Sequence, residues 1–205
     1  GTECTKGCQR GQYCPDLNQP IAYLCPKGTY NDLEGQTSCK KCAIGKVNAK
    51  AGQMLSSACI SCEKGQYAPS EGQHACLSCE MGKYNELESQ SACKLCSSGK
   101  SNPKYGQISE IACLRCDKGK YNSEVGQAEC MLCNSGTYNS KTGQVSETAC
   151  LLCGKGKYNA KEGQTSESAC LLCGKDSITA SAGKNTVCAA CPKGKTTVDD
   201  ANESG

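Results

Sequence analysis

Residues 153–173 run Cys153-Gly-Lys-Gly156-Lys-Tyr158-Asn159-Ala-Lys-Glu-Gly163-Gln164-Thr-Ser-Glu-Ser-Ala-Cys170-Leu171-Leu172-Cys173, and nearly the same text recurs along most of the chain. Its skeleton is Cys-x-x-Gly-x-Tyr-Asn-x-x-x-Gly-Gln, a few polar residues, and a Cys-x-x-Cys pair. Clear copies start at Cys25 (Gly28, Tyr30, Asn31, Gly35, Gln36), Cys116 (Gly119, Tyr121, Asn122, Gly126, Gln127) and Cys133 (Gly136, Tyr138, Asn139, Gly143, Gln144). Cys-x-x-Cys pairs stand at 39/42, 59/62, 76/79, 93/96, 113/116, 130/133, 150/153, 170/173 and 188/191. The gaps hold 13 residues in some copies, 16 in most others and 14 after Cys173, so the repeat is 17 or 20 residues long. The extra residues fall after Gly-Gln, where a loop tip tolerates insertion. Fixed-period self-similarity of this kind marks a repeat architecture.

Composition explains why the repeat is built on cysteine. The chain has 205 residues, 22 of them Cys, with no Trp and no Phe. Aliphatic bulk is too scarce for an ordinary core. A cysteine fraction above roughly 8–10% marks a disulfide scaffold, in which bridges replace the missing core. An enzyme pocket lacks lining residues, so no catalytic activity is expected. No apolar run approaches the roughly 18 residues of a membrane span. A net charge of +3 is too weak for a nucleic-acid binder. This many thiols implies an oxidising compartment, hence a secreted or cell-surface protein. The chain opens Gly1-Thr2-Glu3 with no apolar leader, which reads as a mature product or a segment of something longer.

Each copy reads as a small β-hairpin. The Gly three residues after the Cys predicts a positive φ or a close backbone approach. The Tyr has strand propensity and is nearly the only large side chain per copy. Asn tolerates turn conformations and forms local side-chain bonds. Gly-Gln marks the reversal, its Gln either exposed in the turn or bonding its counterpart in the next copy. The residues between paired cysteines, such as Leu132, Leu151-Leu152 and Leu171-Leu172, are expected to pack between neighbours. Two copies are degraded: Ser89 replaces the second Gly after Cys79, and Asp176 replaces the first Gly after Cys173.

The second Cys of one pair is expected to bridge to the first Cys of the next. That gives Cys25–Cys39, Cys42–Cys59, Cys62–Cys76, Cys79–Cys93, Cys96–Cys113, Cys116–Cys130, Cys133–Cys150, Cys153–Cys170 and Cys173–Cys188. A crossed pattern joining alternate cysteines remains open, because connectivity does not follow from sequence. Closing a loop of about 15 residues contributes roughly 3 kcal/mol in the chain-entropy model.

Other chemistry is weighed against this. Spaced Cys-x-x-Cys pairs also suit zinc, but nine of them cannot pair off evenly, and a recurring Gly-x-Tyr-Asn text serves no zinc ligand. Thioredoxin-like redox chemistry needs a βαβ pattern that is absent. The lone His74 sits in a polar loop. Asp199-Asp200 lacks the spaced oxygen ligands of a calcium site. No cofactor, metal or catalytic group is expected. Asn202-Glu203-Ser204 is an N-glycosylation sequon, so Asn202 is a candidate glycan site. The Ser and Thr of the turns are candidates for O-glycans.

The Cys-x-x-Gly-x-Tyr text with its Cys-x-x-Cys pairs resembles the ephrin-receptor-type cysteine-rich repeat and the single-disulfide hairpin module of tumour-necrosis-factor receptors. Cys62, Gly65, Tyr67 and Cys76 show the register, and the resemblance covers about residues 25–194. It implies extracellular repeats, elongated rods and pairing of sequential cysteines. Such repeats occur in receptor ectodomains and in large surface and flagellar-hair-like proteins of protists and algae. The near identity of the copies favours a structural rod over a recognition surface.

Residues 1–24 are expected to form an irregular cap or junction, since Cys4, Cys8 and Cys14 fall outside the period and Ala22 stands where a Cys is due. Cys8 and Cys14 could close on each other. Residues 25–191 form the tandem repeats. Residues 192–205 continue an incomplete copy that starts at Cys191. Joined to Gly1-Thr2-Glu3-Cys4 it would have a 17-residue gap, beside 16 in the long internal copies. Head-to-tail assembly through Cys191 and Cys4 would give an open filament; continuation as a longer tandem chain is the alternative. The expected fold is small, disulfide-rich and mostly β or irregular, an elongated solenoid-like rod of short hairpins with almost no helix. The expected function is an extracellular structural role in a fibre, surface coat or appendage, by self-association or as part of a longer tandem chain, with no nucleic-acid partner and no membrane insertion of this segment. A receptor or adhesin ectodomain is the second reading, and a cysteine-rich metal-binding protein the third.

Overall fold

The computed structural model describes residues 7–16, 21–179 and 185–193. These form ten two-stranded antiparallel hairpins, with four 3-10 turns and no α-helix among the described residues. In seven hairpins the first strand is the x-Tyr dipeptide of the repeat, and Val47, Ser101 and Ile178 take the Tyr place in the other three. The second is the pair of residues between the two cysteines. Thr29–Tyr30 thus pairs with Lys40–Lys41, and Lys157–Tyr158 with Leu171–Leu172. The carbonyl of Gly28 accepts from the Cys42 amide and closes the ladder.

Strands this short cannot stand alone. A disulfide at the base of nine of the ten hairpins and the bonds to the next hairpin hold them. The Cys-x-x-Gly segment is a turn in which the Thr29 amide donates to the Pro26 carbonyl. Gly28 is its third residue, with φ 83°, the left-handed conformation that this kind of turn reserves for Gly. The 17- and 20-residue copies differ by a single 3-10 turn before the closing Cys, as at Ser56–Ala58 and Glu147–Ala149. The expected insertion point holds, and the insert adds one local turn closed by the Cys59 amide on the Ser56 carbonyl.

The hairpins fall into two units. The first comprises residues 1–95 and 103–112, the second 96–102 and 113–205. Within each, successive hairpins are joined by the same three backbone bonds. In the first unit the Gly28 amide donates to Asn48, the Asn31 amide to Gln53, and the Gly52 amide to Cys25. In the second the Gly119 amide donates to Asn139, the Asn122 amide to Gln144, and the Gly143 amide to Cys116.

The segment expected as an irregular cap carries the repeat as well. Gln12–Tyr13 pairs with Tyr23–Leu24, the Gly11 amide donates to Asn31, and the Cys14 amide to Gln36. Cys8, Gly11 and Tyr13 occupy the Cys, Gly and Tyr positions, and Cys14 takes the place of Asn. With Ala22 in the usual Cys position, Cys8 bridges to Cys14. A relocated bridge hides this copy from a search by cysteine spacing.

Candidate functional site

The interior of the chain is built from half-cystines and asparagines. Cys25, Cys42, Cys62, Cys79, Cys96, Cys116 and Cys133 are at most 1% exposed, and aliphatic side chains contribute little beyond Val47. The structure brings together all nine expected pairs, with Cα separations from 5.5 to 5.8 Å. Each bridge lies within one hairpin. The two members of every internal Cys-x-x-Cys pair therefore serve different hairpins. Cys191 is unbridged among the described residues. Cys4, Asn202, Asp199 and Asp200 lie outside the described residues. His74 is exposed, and no group of three His, Cys, Asp or Glu side chains converges among the described residues.

The repeated asparagine departs most from expectation. It is buried, and its side chain reaches the preceding hairpin. Asn48 Nδ2 donates to the Thr29 carbonyl at 2.9 Å, Asn122 Nδ2 to Lys100 at 2.8 Å, and Asn159 Nδ2 to Thr137 at 3.1 Å. Asn48 Oδ1 accepts from the Lys50 amide, the local half of the same arrangement. One residue thus takes part in bonds to both neighbours. At Asn48 both ends of the buried amide are engaged, which fixes spacing because its alternatives are unsatisfied polar groups; at Asn31 and Asn122 only the Nδ2 is bonded. The Gln after the turn Gly supplies its backbone carbonyl to the stack. Its side chain bonds its own turn, as Gln53 Nε2 does to the Ala51 carbonyl at 3.3 Å.

The first Gly of most copies meets the hairpin two places further on, while a Cβ on Gly156 would meet nothing within 4 Å. A Cβ on Gly28 would fall on the Gly72 carbonyl, and one on Gly119 on the Gly163 carbonyl, well inside 3.0 Å. Both readings of this Gly, positive φ and close approach, therefore hold together. The two degraded copies keep the conformation without the Gly. Ser89 at φ 59° and Asp176 at φ 57° are the only non-Gly residues with positive φ among the described residues.

The outward side chains are the second departure. The residues between paired cysteines pack less than expected: Leu132 lies against Gly163 two hairpins on, but about half or more of each leucine faces solvent. Leu151 is 51% exposed and Leu171 54%. Their strands lie on the outside because the disulfides and asparagines already fill the interior. The charged groups are also outward. Lys40 bonds Asp32, Lys83 bonds Glu80 and Lys94 bonds Glu86. These bonds hold the three carboxyls below their ordinary range and raise the three lysines.

Sequence comparison finds the same pattern elsewhere. The family described as tyrosine-protein kinase ephrin type A/B receptor-like matches residues 23–54, 70–111 and 104–150, just over half of the chain. The chain belongs to the ephrin-receptor-like family. No match was found among curated proteins. Ephrin-receptor-like repeats, together with bridges in every hairpin, point to an extracellular or cell-surface setting. No helix among the described residues is long and apolar enough to cross a membrane.

Proposed function

We propose that this ephrin-receptor-like chain is a structural protein, a building block of an extracellular fibre, surface coat or appendage, with no catalytic role. The observation that carries the reading is the constancy of the bonds between hairpins. The Gly, Asn and Gln groups that join one copy to the next recur in copy after copy within each unit. Such an interface propagates; it does not select a ligand. The expected assembly is end to end, through Cys191 and Cys4 or through flanking repeats of a longer chain. Asn202 and the turn hydroxyls are the proposed glycan positions.

Electron microscopy and sedimentation of native, unreduced protein test this reading. Filaments of variable length are expected. Disulfide mapping of the same material is expected to show Cys191 joined to Cys4 of another copy if the junction is covalent. The family match favours a second reading, a receptor-type or adhesin ectodomain. That protein would remain a monomer at all concentrations and capture a single protein ligand.

A further inference from the structure

The two units differ in what they present between their cysteines. Residues directly opposite in an antiparallel pair share one face of the ladder. In the second unit Tyr121 stands opposite Met131, Tyr138 opposite Leu151, and Tyr158 opposite Leu171. Ser101 opposite Leu114 and Ile178 opposite Ala189 continue the row at its two ends. This row carries no charge over five successive hairpins. Its aliphatic members are outward: Leu114 is 61% exposed, Met131 45% and Ile178 40%. In the first unit the equivalent row is interrupted, because Lys40 stands opposite Tyr30 and Lys94 opposite Tyr84. Charges placed on short exposed strands are a recognised device against lateral association. The second unit omits them on this face and keeps cations on the other, where Lys100, Lys120 and Lys157 stand.

We infer that this uncharged row is a lateral self-association surface, and that its occupant is the same row of a second copy of this chain. Two observations choose the occupant. The first is spacing. The row presents uncharged pairs, three of them Tyr–aliphatic, at the interval set by the asparagine and glycine bonds. A second copy has that same interval, so every pair can find a counterpart at once. The second is area. Half-exposed side chains of this size offer on the order of 500 Å² in all, from about 60–120 Å² each. Two such faces bury about 1,000 Å² together, the lower bound of specific interfaces. Single chains therefore associate weakly, and chains joined lengthwise associate firmly because the contacts multiply. The inference rests on the fibre reading for its role, as the contact that bundles strands, but it can fail separately.

The test uses the full 205-residue chain with its bridges formed. Sedimentation velocity across a concentration series measures self-association of the wild type, of M131S/L151S/L171S, and of the opposite-face control L132S/L152S/L172S. All six side chains are exposed, so the same mass gain on reduction and the same resistance to trypsin are expected. If the triple variant does not fold, the single change Leu151→Lys takes its place. Reversible association by the wild type and the control, weakened at least about tenfold by the first variant, supports the inference. A wild type that stays monomeric, or association that the first variant leaves unchanged, overturns it. A monomer that binds zwitterionic lipid vesicles through the same residues would assign the row to a lipid surface and also overturn it. Filaments that form but do not pair sideways defeat this inference alone. A limited lateral dimer with no filaments defeats the fibre reading alone.

Discussion

The side-chain amide of Asn48 donates to the backbone carbonyl of Thr29, one hairpin earlier, at 2.9 Å, and both residues are buried. The same Asn accepts the Gly28 amide on its own carbonyl and donates its amide to Gln53's counterpart, Gln73. Three consecutive hairpins therefore meet through one residue.

Replacing Asn48 by Ala leaves the Thr29 carbonyl buried without this donor. The expected cost is about 1–3 kcal/mol. It should be local to the hairpins on either side. Hydrogen exchange resolved by fragment is the check, with protection lost around residues 28–31 and 45–48 and retained in the second unit.

Gly28 and Gly35 separate two effects of glycine. Both have positive φ, but a Cβ on Gly28 would strike the Gly72 carbonyl, and one on Gly35 meets nothing within 4 Å. Gly35→Ala is expected to cost about 1–2 kcal/mol, the left-handed penalty alone. Gly28→Ala adds overpacking against backbone, for about 2–5 kcal/mol together. Chemical denaturation of the two variants side by side measures the difference.

Ser89 offers the reverse experiment. It holds φ 59° at a position where most copies have Gly. Ser89→Gly is expected to stabilise its hairpin by about 1 kcal/mol, since the left-handed penalty exceeds the entropy cost of a new glycine. A variant no more stable than the wild type in denaturant would show that the Ser89 side chain compensates.

The dependence on pH should be shallow. Asp32, Glu80 and Glu86 titrate below the ordinary carboxylate range in the folded chain, chiefly through bonds to Lys40, Lys83 and Lys94. Their contribution is present above the unfolded carboxyl values and is lost as pH falls through the lowered ones. The lysines titrate above their ordinary range, chiefly through the same bonds. Their contribution is present below the unfolded lysine value and is lost as pH rises through the raised ones. All these groups face solvent, so salt screens the effect. Denaturation midpoints at low salt should be flat between about pH 5 and pH 9 and fall on either side.

Much of this was visible in the spacing of residues. The Gly in Cys-x-x-Gly announces its turn because only Gly takes that φ freely. The hairpins follow because the Cys-x-x-Gly turn and the cysteine pair recur in fixed order, with Tyr in most of the first strands. The role of Asn31 and its equivalents was not visible. Asn usually marks a turn, and burial between hairpins depends on backbone carbonyls that leave no trace in the side-chain pattern. Leu151 and Leu171 misled for a related reason. Aliphatic residues normally go inside, but here the sulfur and amide groups occupy the interior first. The copy that begins at Cys8 is hidden in the sequence because its bridge closes on Cys14, in the Asn position.

Because each of the nine sequential bridges spans the base of its own hairpin, it also sets how the chain carries tension. A pull between Cys25 and Cys42 need not pass through the loop between Cys25 and Cys39, whose ends are tied at a Cα distance of 5.7 Å. Only Lys40 and Lys41 then lie in the load path, adding about 10 Å at full stretch against roughly 60 Å for the unbridged 17 residues. The rest of each hairpin is slack that the force never reaches. Such a chain is close to inextensible while oxidised and lengthens severalfold when its bridges are reduced, so its stiffness is set by the redox state of its surroundings.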